Sequence, residues 1–351
     1  MTCPMDLSTL EQRAQQVVPG PSFDYVAGGA DEEVTLRDNV AAWARLRIRP
    51  RMLRDVSRID LSTSLLGAPV RSPIIVAPTA YHRLVHDEGE RATVRGAHAA
   101  QVPFILSTMS TVSIEDVAAS EPGALRWFQI YVHRDRELTS SMISRAEAAG
   151  YRALVLTVDT PRLGRRRRHG PGGFVLPPGI EAANLVGTAH DTTDLASYAD
   201  AAFDPALTYE AVRWLCGQTA LPVVVKGILR GDDALACIDA GATAIAVSNH
   251  GGRQLDGVIA TADALVEVVR AVGDRGEVYV DGGLRNGTDV LRALALGARA
   301  VLIGRPAVWG LALDGSRGVR DVLTAFVDDT EAACALAGVR SCADAGPDLL
   351  V

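Results

Sequence analysis

The stretch IIVAPTAYHRL, residues 74–84, decides between two folds. It opens as a short apolar, β-branched run and is stopped by Pro78 and Thr79. Such a run reads as a buried strand. An open, doubly wound sheet would follow its first strand with a glycine-rich phosphate loop. PTAYHRL has no such loop. A closed parallel barrel makes no such demand, because its ligand site is shared among the loops of all its strands.

Further runs of the same kind follow: FILS (104–107), WFQIYV (127–132), ALVLTVD (153–159), PVVVKG (222–227), AIAVSN (244–249), EVYVDGG (277–283) and AVLIG (300–304). Helical patterns lie between most of them, as in GERATVRGAHAAQ (89–101), RELTSSMISRAEAAG (136–150), GDDALACIDAG (231–241), TADALVEVVRAV (261–272) and TDVLRALALGA (288–298). Strands alternating with helices imply βαβ units and a parallel sheet. The eight runs are near-evenly spaced except for one wide gap, between 153 and 222. The expected fold is therefore α/β, a (β/α)8 TIM barrel over residues 74–337, within one domain spanning 1–351. Residues 1–73 form an N-terminal helical extension, and 160–220 form a long insertion after strand 4, a lid with a helix. TLEQRAQQVV reads as a helix of the extension, FDYVAGGADEE as a second one ending at Gly28 and Gly29, and 317–337 as the last helix.

The chain has 351 residues, 48% of them apolar, enough for a large core. With a net charge of −7, neither a strong basic face nor a nucleic-acid partner is expected. Cys3, Cys216, Cys237, Cys334 and Cys342 are scattered with no CxxC pair, which reads as reduced thiols and no metal site. MTCPMDLSTLEQRAQQ has no apolar signal region, and no run approaches a membrane span. A cytoplasmic protein is expected.

The C-terminal ends of barrel strands carry the active site in this architecture. Here they offer Thr79; Ser107; Gln129 and Tyr131; Thr157 and Asp159; Lys226; Ser248 and His250; Asp281, Gly282 and Gly283; and Gly304 with Arg305. Residues two apart share one face of a strand, so 129/131, 157/159 and 248/250 are read as pairs projecting into one mouth. Any one of these alone reads as readily as a helix cap; their convergence carries the argument. Lys226 is the only lysine among the 35 basic residues, and lysine is a compact point charge where arginine is a planar fork.

VDGGLRNG (280–287), with Arg285, and IGRP (303–306), with Arg305, suggest a phosphate site after strands seven and eight. In SNHGGRQLDG (248–257), His250 can accept a proton near neutral pH and Arg253 can hold a carboxylate bidentately. A base beside an anion clamp suits proton or hydride removal next to a carboxylate.

SNHGGRQLDG resembles the signature of the FMN-dependent L-2-hydroxy-acid oxidases and dehydrogenases. FDYVAGGADE, IVAPTA, GERATVRGA, WFQIYVHRDR, LTVDTPRLGRR, LPVVVKGI, DGGLRNGTDV and IGRP extend the resemblance over nearly the whole chain. It implies FMN across the barrel mouth. Pro78, Thr79 and Ala80 would run beside the reactive flavin edge, with Ser107, Gln129 and Thr157 hydrogen-bonding the ring. Lys226 would sit by N1 and O2, Ser248 near the ribityl or ring, and Tyr131 close to cofactor and substrate alike. Asp281, Gly282, Gly283, Leu284, Arg285, Gly304 and Arg305 would hold the ribityl phosphate. Substrate would be clamped by Arg253 with Tyr25 and Arg166, deprotonated by His250, and hydrogen-bonded by Tyr131; Asp159 would steady the imidazolium. The implied reaction is oxidation of an (S)-2-hydroxy acid to a 2-oxo acid with O2 as acceptor, giving H2O2, in a homotetramer.

Two departures from the family pattern stand out. RRRRHGPGGF puts His169 and Gly172 where the family usually has Asp and Asn, at the start of the lid; Arg167 and Arg168 read as a solvated turn. STMST puts Met109 where short-chain glycolate oxidases carry tryptophan, and AYHRL resembles the hydroxymandelate oxidases. Both point to a bulky or aromatic acid and, with Tyr81 following the flavin-edge loop, to a wider, partly aromatic pocket. The rival readings are a short-chain oxidase, a quinone-linked dehydrogenase, and a non-redox FMN-binding protein or isomerase.

Overall fold

The computed structural model describes residues 5–170, 173–187 and 195–351. The extension contributes three helices, α1 (Leu10–Gln15), α2 (Gly20–Ala27) and α3 (Val34–Arg45), then an antiparallel hairpin, β1 (Thr63–Leu65) with β2 (Ala68–Val70). α1 and α2 match the two expected helices; α3 and the hairpin were not expected, and the strands of the hairpin are too short to register as a pattern. Its two turn residues, Leu66 (φ 49°) and Gly67 (φ 80°), both take the left-handed conformation that a tight hairpin favours.

The barrel strands are β3 (Ile74–Val76), β4 (Phe104–Leu106), β5 (Arg126–Ile130), β6 (Leu154–Thr157), β7 (Val223–Ile228), β8 (Ala244–Val247), β9 (Glu277–Val280) and β10 (Ala300–Ile303). They pair in parallel, in chain order, and β10 closes on β3 through Val301 opposite Ile74. Between them run α4 (Glu90–Ala99), α5 (Ile114–Ser120), α6 (Arg136–Ala148), α7 (Leu195–Ala202), α8 (Tyr209–Gly217), α9 (Gly231–Asp239), α10 (Thr261–Val272) and α11 (Gly287–Ala295). The chain then enters α12 (Arg305–Ala337). The helix expected over 317–337 is the second limb of α12, which breaks at Asp314 and Gly315. The expected insertion holds α7, α8 and short 3-10 turns at Arg167–His169 and Ala183–Leu185; Gly172 lies outside the described residues.

Strand alternation sets everything that follows. Ile75, Ile105, Trp127, Val155, Val224 and Tyr279 fill the barrel interior, where Leu65 and Val70 of the hairpin join them. Their neighbours Ile74, Phe104, Phe128, Leu154, Val223 and Val280 face the helices. Burying each of the large side chains contributes about 1.5–3 kcal/mol. One step further along the inward series come Gln129, Thr157 and Lys226 inside β5, β6 and β7, and Ser107 and Asp281 one residue past β4 and β9. The same period that packs the core therefore aims these polar groups into the barrel mouth.

The strands end earlier than the apolar runs suggested. Tyr131, Asp159 and His250 lie beyond the last residues of β5, β6 and β8, so loops aim them rather than the strand pleat. Among the described residues no helix is long and apolar enough to cross a membrane. Cys216, Cys237, Cys334 and Cys342 are free thiols; Cys3 lies outside the described residues.

Candidate active site

A cleft enclosing about 1230 Å³, counted out to solvent, opens at the C-terminal ends of the strands. Pro78, Thr79, Ala80, Ser107, Gln129, Thr157, Lys226, Gly304, Arg305 and the run Asp281, Gly282, Gly283, Leu284 and Arg285 line it. So do Tyr25, Met109, Tyr131, Arg166, His250 and Arg253. Two expected residues sit one layer behind: Asp159 backs His250, and the fully buried Ser248 backs Lys226. Val26, Leu163, Phe203 and Gln254 also line the cleft and carried no sequence signal. Phe203 comes from the insertion and stacks on Tyr131 with ring centroids 4.4 Å apart.

His250 Nδ1 lies 2.9 Å from Asp159 Oδ1. The carboxylate accepts the Nδ1 proton, which leaves Nε2 bare as the basic atom. The pair is built by backbone. His250 takes φ 58°, and its own N–H donates to Ser248 Oγ at 3.0 Å. The Gln254 amide donates to the carbonyls of Asp159 and Arg162, pinning the loop after β6. Glycine is required at 227: it bulges β7 at φ 109°, and a Cβ there would lie 2.7 Å from the Asp159 Cβ. Burial pushes His250 below the usual histidine range, against the pull of Asp159, and Lys226 and Arg253 reinforce the drop. Burial alone would raise Asp159, but His250 and Lys226 outweigh it and hold the carboxyl low. Burial, then Asp159, pushes the Tyr131 hydroxyl far up, so it stays a neutral donor.

Lys226 is 3% exposed. Its Nζ donates to Ser248 Oγ at 2.8 Å and pairs with Asp281 Oδ2 at 3.1 Å. Burial opposes its charge, but Asp281 and Asp159 outweigh burial and raise its pKa. Gln129 accepts from the Thr108 N–H and the Ser107 hydroxyl through Oε1, leaving Nε2 buried without a partner. Asp281 Oδ1 is likewise buried and unpartnered. A donor and an acceptor left open at one mouth is the pattern of a site that awaits a polar ligand.

Four guanidiniums complete the cleft, and among the described residues none is paired with a carboxylate. Arg253 Nη1 donates to the carbonyls of Tyr25 (2.6 Å) and Gly28 (3.0 Å), and its guanidinium lies 5.1 Å from the Tyr25 ring centre. Arg305 donates to the carbonyls of Val26, Gly28 and Gly251, each at 3.0 Å. These two arginines satisfy the carbonyls that α2 leaves open at its C-terminus, and so tie the extension across the mouth. Arg166 donates to the Arg253 carbonyl, and Arg285 to that of Leu284. Burial, then Arg253, pulls Arg166 down to about 8; burial, Arg253 and Arg285 pull Arg305 down to about 9. The cause is surplus buried positive charge, which bound anions would relieve. Gly283, at φ 84°, lets the loop after β9 pass beside α3; a Cβ there would meet the Asn39 carbonyl at 2.3 Å.

Two readings are corrected. Arg167 and Arg168 are not a merely solvated turn. Arg168 binds both carboxylate oxygens of Glu33, at 2.6 and 2.8 Å, and Arg167 pairs with Glu32. Arg165 pairs with Asp31 at 2.5 Å. The three fix the start of the insertion to the DEE run while Arg166 turns into the cleft. Tyr81 does not line the cleft: it is 1% exposed and packs against Tyr25 in the core.

The FMN-dependent dehydrogenase family model matches residues 14–351. An L-lactate oxidase from Nostoc sp. is 48% identical, over 98% of this chain and 97% of its own. The human 2-hydroxyacid oxidase 1 is 47% identical, over 95% of this chain and 93% of its own. A crystal structure of a mandelate oxidase with (S)-4-hydroxymandelic acid superposes with a TM-score of 0.92 at 46% identity, covering 97% of this chain and 96% of the other. The chain belongs to the FMN-dependent 2-hydroxy-acid oxidase family. It is an enzyme of that flavin-dependent class, and its cofactor is FMN.

Proposed function

We propose that the protein oxidises an (S)-2-hydroxy acid with a bulky or aromatic side chain to the 2-oxo acid, with O2 as acceptor. The observation that carries the reading is the pairing of His250 with Asp159 in one cleft with Arg253 and Arg166, which have only carbonyls to hold. A carboxylate between the arginines supplies the missing charge and sets the neighbouring carbon against the imidazole. His250 Nε2 accepts the substrate proton, and Asp159 stabilises the resulting imidazolium. The neutral Tyr131 hydroxyl donates to the substrate oxygen.

The residues present fit FMN. The open donor of Gln129 and the cation of Lys226 suit a flavin ring, with Ser107, Thr157 and the chain at Pro78, Thr79 and Ala80 beside it. Asp281, with its open Oδ1, suits a ribityl hydroxyl, while Gly282, Gly283, Leu284, Arg285, Gly304 and Arg305 suit the phosphate beyond it. FMN supplies the two-electron acceptor that no side chain here provides.

Met109 supports the bulky substrate. It is 3% exposed, lines the cleft, and has an unbranched side chain that adapts to its neighbours. The deciding experiment mixes the enzyme anaerobically with (S)-mandelate, (S)-4-hydroxymandelate, (S)-lactate and glycolate, then admits air. Bleaching by an acid followed by fast reoxidation with peroxide release is the expected result. No bleaching by any of them overturns the reading; bleaching without reoxidation in air assigns a different acceptor.

A further inference from the structure

His82 is 2% exposed and belongs to none of the groups assigned above. It opens a single 3-10 turn, His82–Leu84, directly after Tyr81, whose φ of 57° reverses the chain. The reversal brings the imidazole back onto the residue three before it. Nε2 of His82 contacts Thr79 Oγ1, and Nδ1 lies 2.8 Å from Thr93 Oγ1. The backbone N–H of His82 donates to Glu90 Oε1 at 3.0 Å, and Glu90 also accepts from the Thr111 N–H and hydroxyl. His82 is thus a fixed bridge between α4 and the one hydroxyl of the PTA segment that lines the cleft.

The two ring contacts allow two directions for the proton chain. Thr93 lies in α4, and its hydroxyl can donate either to His82 Nδ1 at 2.8 Å or back to the carbonyl of Gly89, four residues earlier, at 3.4 Å. With its proton on the carbonyl, Thr93 Oγ1 accepts from His82, the imidazole carries its proton on Nδ1, and Nε2 is bare. Thr79 then donates its proton to Nε2 and presents lone pairs toward the cleft.

We infer that His82 is a positioning residue that fixes the Thr79 hydroxyl as a hydrogen-bond acceptor toward the flavin. The inference rests on the proposed placement of the flavin edge at residues 78–80. FMN gains an N–H when it is reduced, so an acceptor there favours the reduced form over the oxidised. Burial, which opposes the charged imidazole, is consistent with a neutral ring.

Three measurements test it. The ¹⁵N shifts of His82 in the FMN-loaded wild-type protein should report a neutral ring protonated on Nδ1. Potentiometric titration of His82→Leu should shift the oxidised–reduced equilibrium by roughly three- to tenfold toward the oxidised form. The upper figure is about 30 mV downward for a two-electron couple. His82→Gln, which can place an amide oxygen where Nε2 stood, should restore the wild-type potential. Because His82 acts through Thr79, the shifts of His82→Leu and Thr79→Val should not add in the double variant. A proton found on Nε2, or additive shifts, overturns the inference. The nitrogen shifts need no folded variant, and they leave the hydroxy-acid reading standing if they go the other way.

Discussion

His250 and Asp159 stand 91 residues apart in the chain and 2.9 Å apart in space. The bond fixes which imidazole nitrogen is basic, and burial keeps that nitrogen unprotonated at neutral pH. His250→Ala should keep FMN yet slow anaerobic flavin reduction by about 10²–10⁴-fold. Stopped-flow bleaching under saturating acid checks this.

The same pair gives a pH prediction with a definite sign. The base works when neutral, so kcat/KM should rise with pH through the His250 titration and then level. That limb should lie below the ordinary histidine range, because burial lowers the folded-state value. Asp159 pulls the other way, so Asp159→Asn should move the limb further toward acid while lowering the plateau. A limb that moves toward alkali in that variant contradicts the assignment.

Much of this site was legible because one strand period serves both the core and the mouth. The strand period of two fills the interior with Ile75, Trp127, Val155, Val224 and Tyr279, and its continuation supplies Gln129, Thr157, Lys226 and Asp281. The lone lysine was readable as a rim residue for that reason. What escaped was set by tertiary contact without local pattern. Phe203 reaches Tyr131 from a segment with no strand or motif of its own. Arg167 and Arg168 look like a solvated run until the acidic residues more than a hundred positions earlier fold against them. Tyr81 follows the flavin-edge loop in sequence, but its left-handed backbone turns the ring into the core.

Lys226 should prove structural and electronic at once. Lys226→Met strands Asp281 as a buried charge, and breaking such a pair costs about 3–5 kcal/mol. The variant should unfold at lower denaturant, and its bound flavin should show a lower reduction potential and weaker sulfite addition. Pairing it with Asp281→Asn should recover stability but leave the potential low. Lys226→Arg should not restore either property, since the planar fork cannot replace a point charge 2.8 Å from Ser248. Equal potentials in wild type and Lys226→Met would remove the lysine from flavin tuning.

The ion pairs at the start of the insertion give a weaker, salt-dependent effect. Arg168 and Glu33 are partly exposed, so their bidentate contact should contribute no more than about 1 kcal/mol. Arg168→Ala should raise KM by up to roughly fivefold with little change in kcat. High salt should raise the wild-type KM in the same direction and leave the variant less affected. The check is a KM series across salt concentration for both proteins.

Substrate size turns on Met109. Its side chain lines the cleft with Tyr25, Tyr131 and Phe203, so the aromatic wall comes from the extension, a barrel loop and the insertion rather than from Tyr81. A phenyl group that reaches this wall would gain about 2–3 kcal/mol of binding, or roughly a hundredfold. Met109→Trp would occupy that space with a rigid ring. The loss should fall on (S)-mandelate and (S)-4-hydroxymandelate and spare (S)-lactate and glycolate, and anaerobic flavin reduction measures all four alike. If glycolate or lactate reduces the wild-type flavin fastest at equal concentration, the bulky assignment is wrong. The roles of His250 and Arg253 would survive that result, because they act on the hydroxyl and carboxylate that every one of these acids shares.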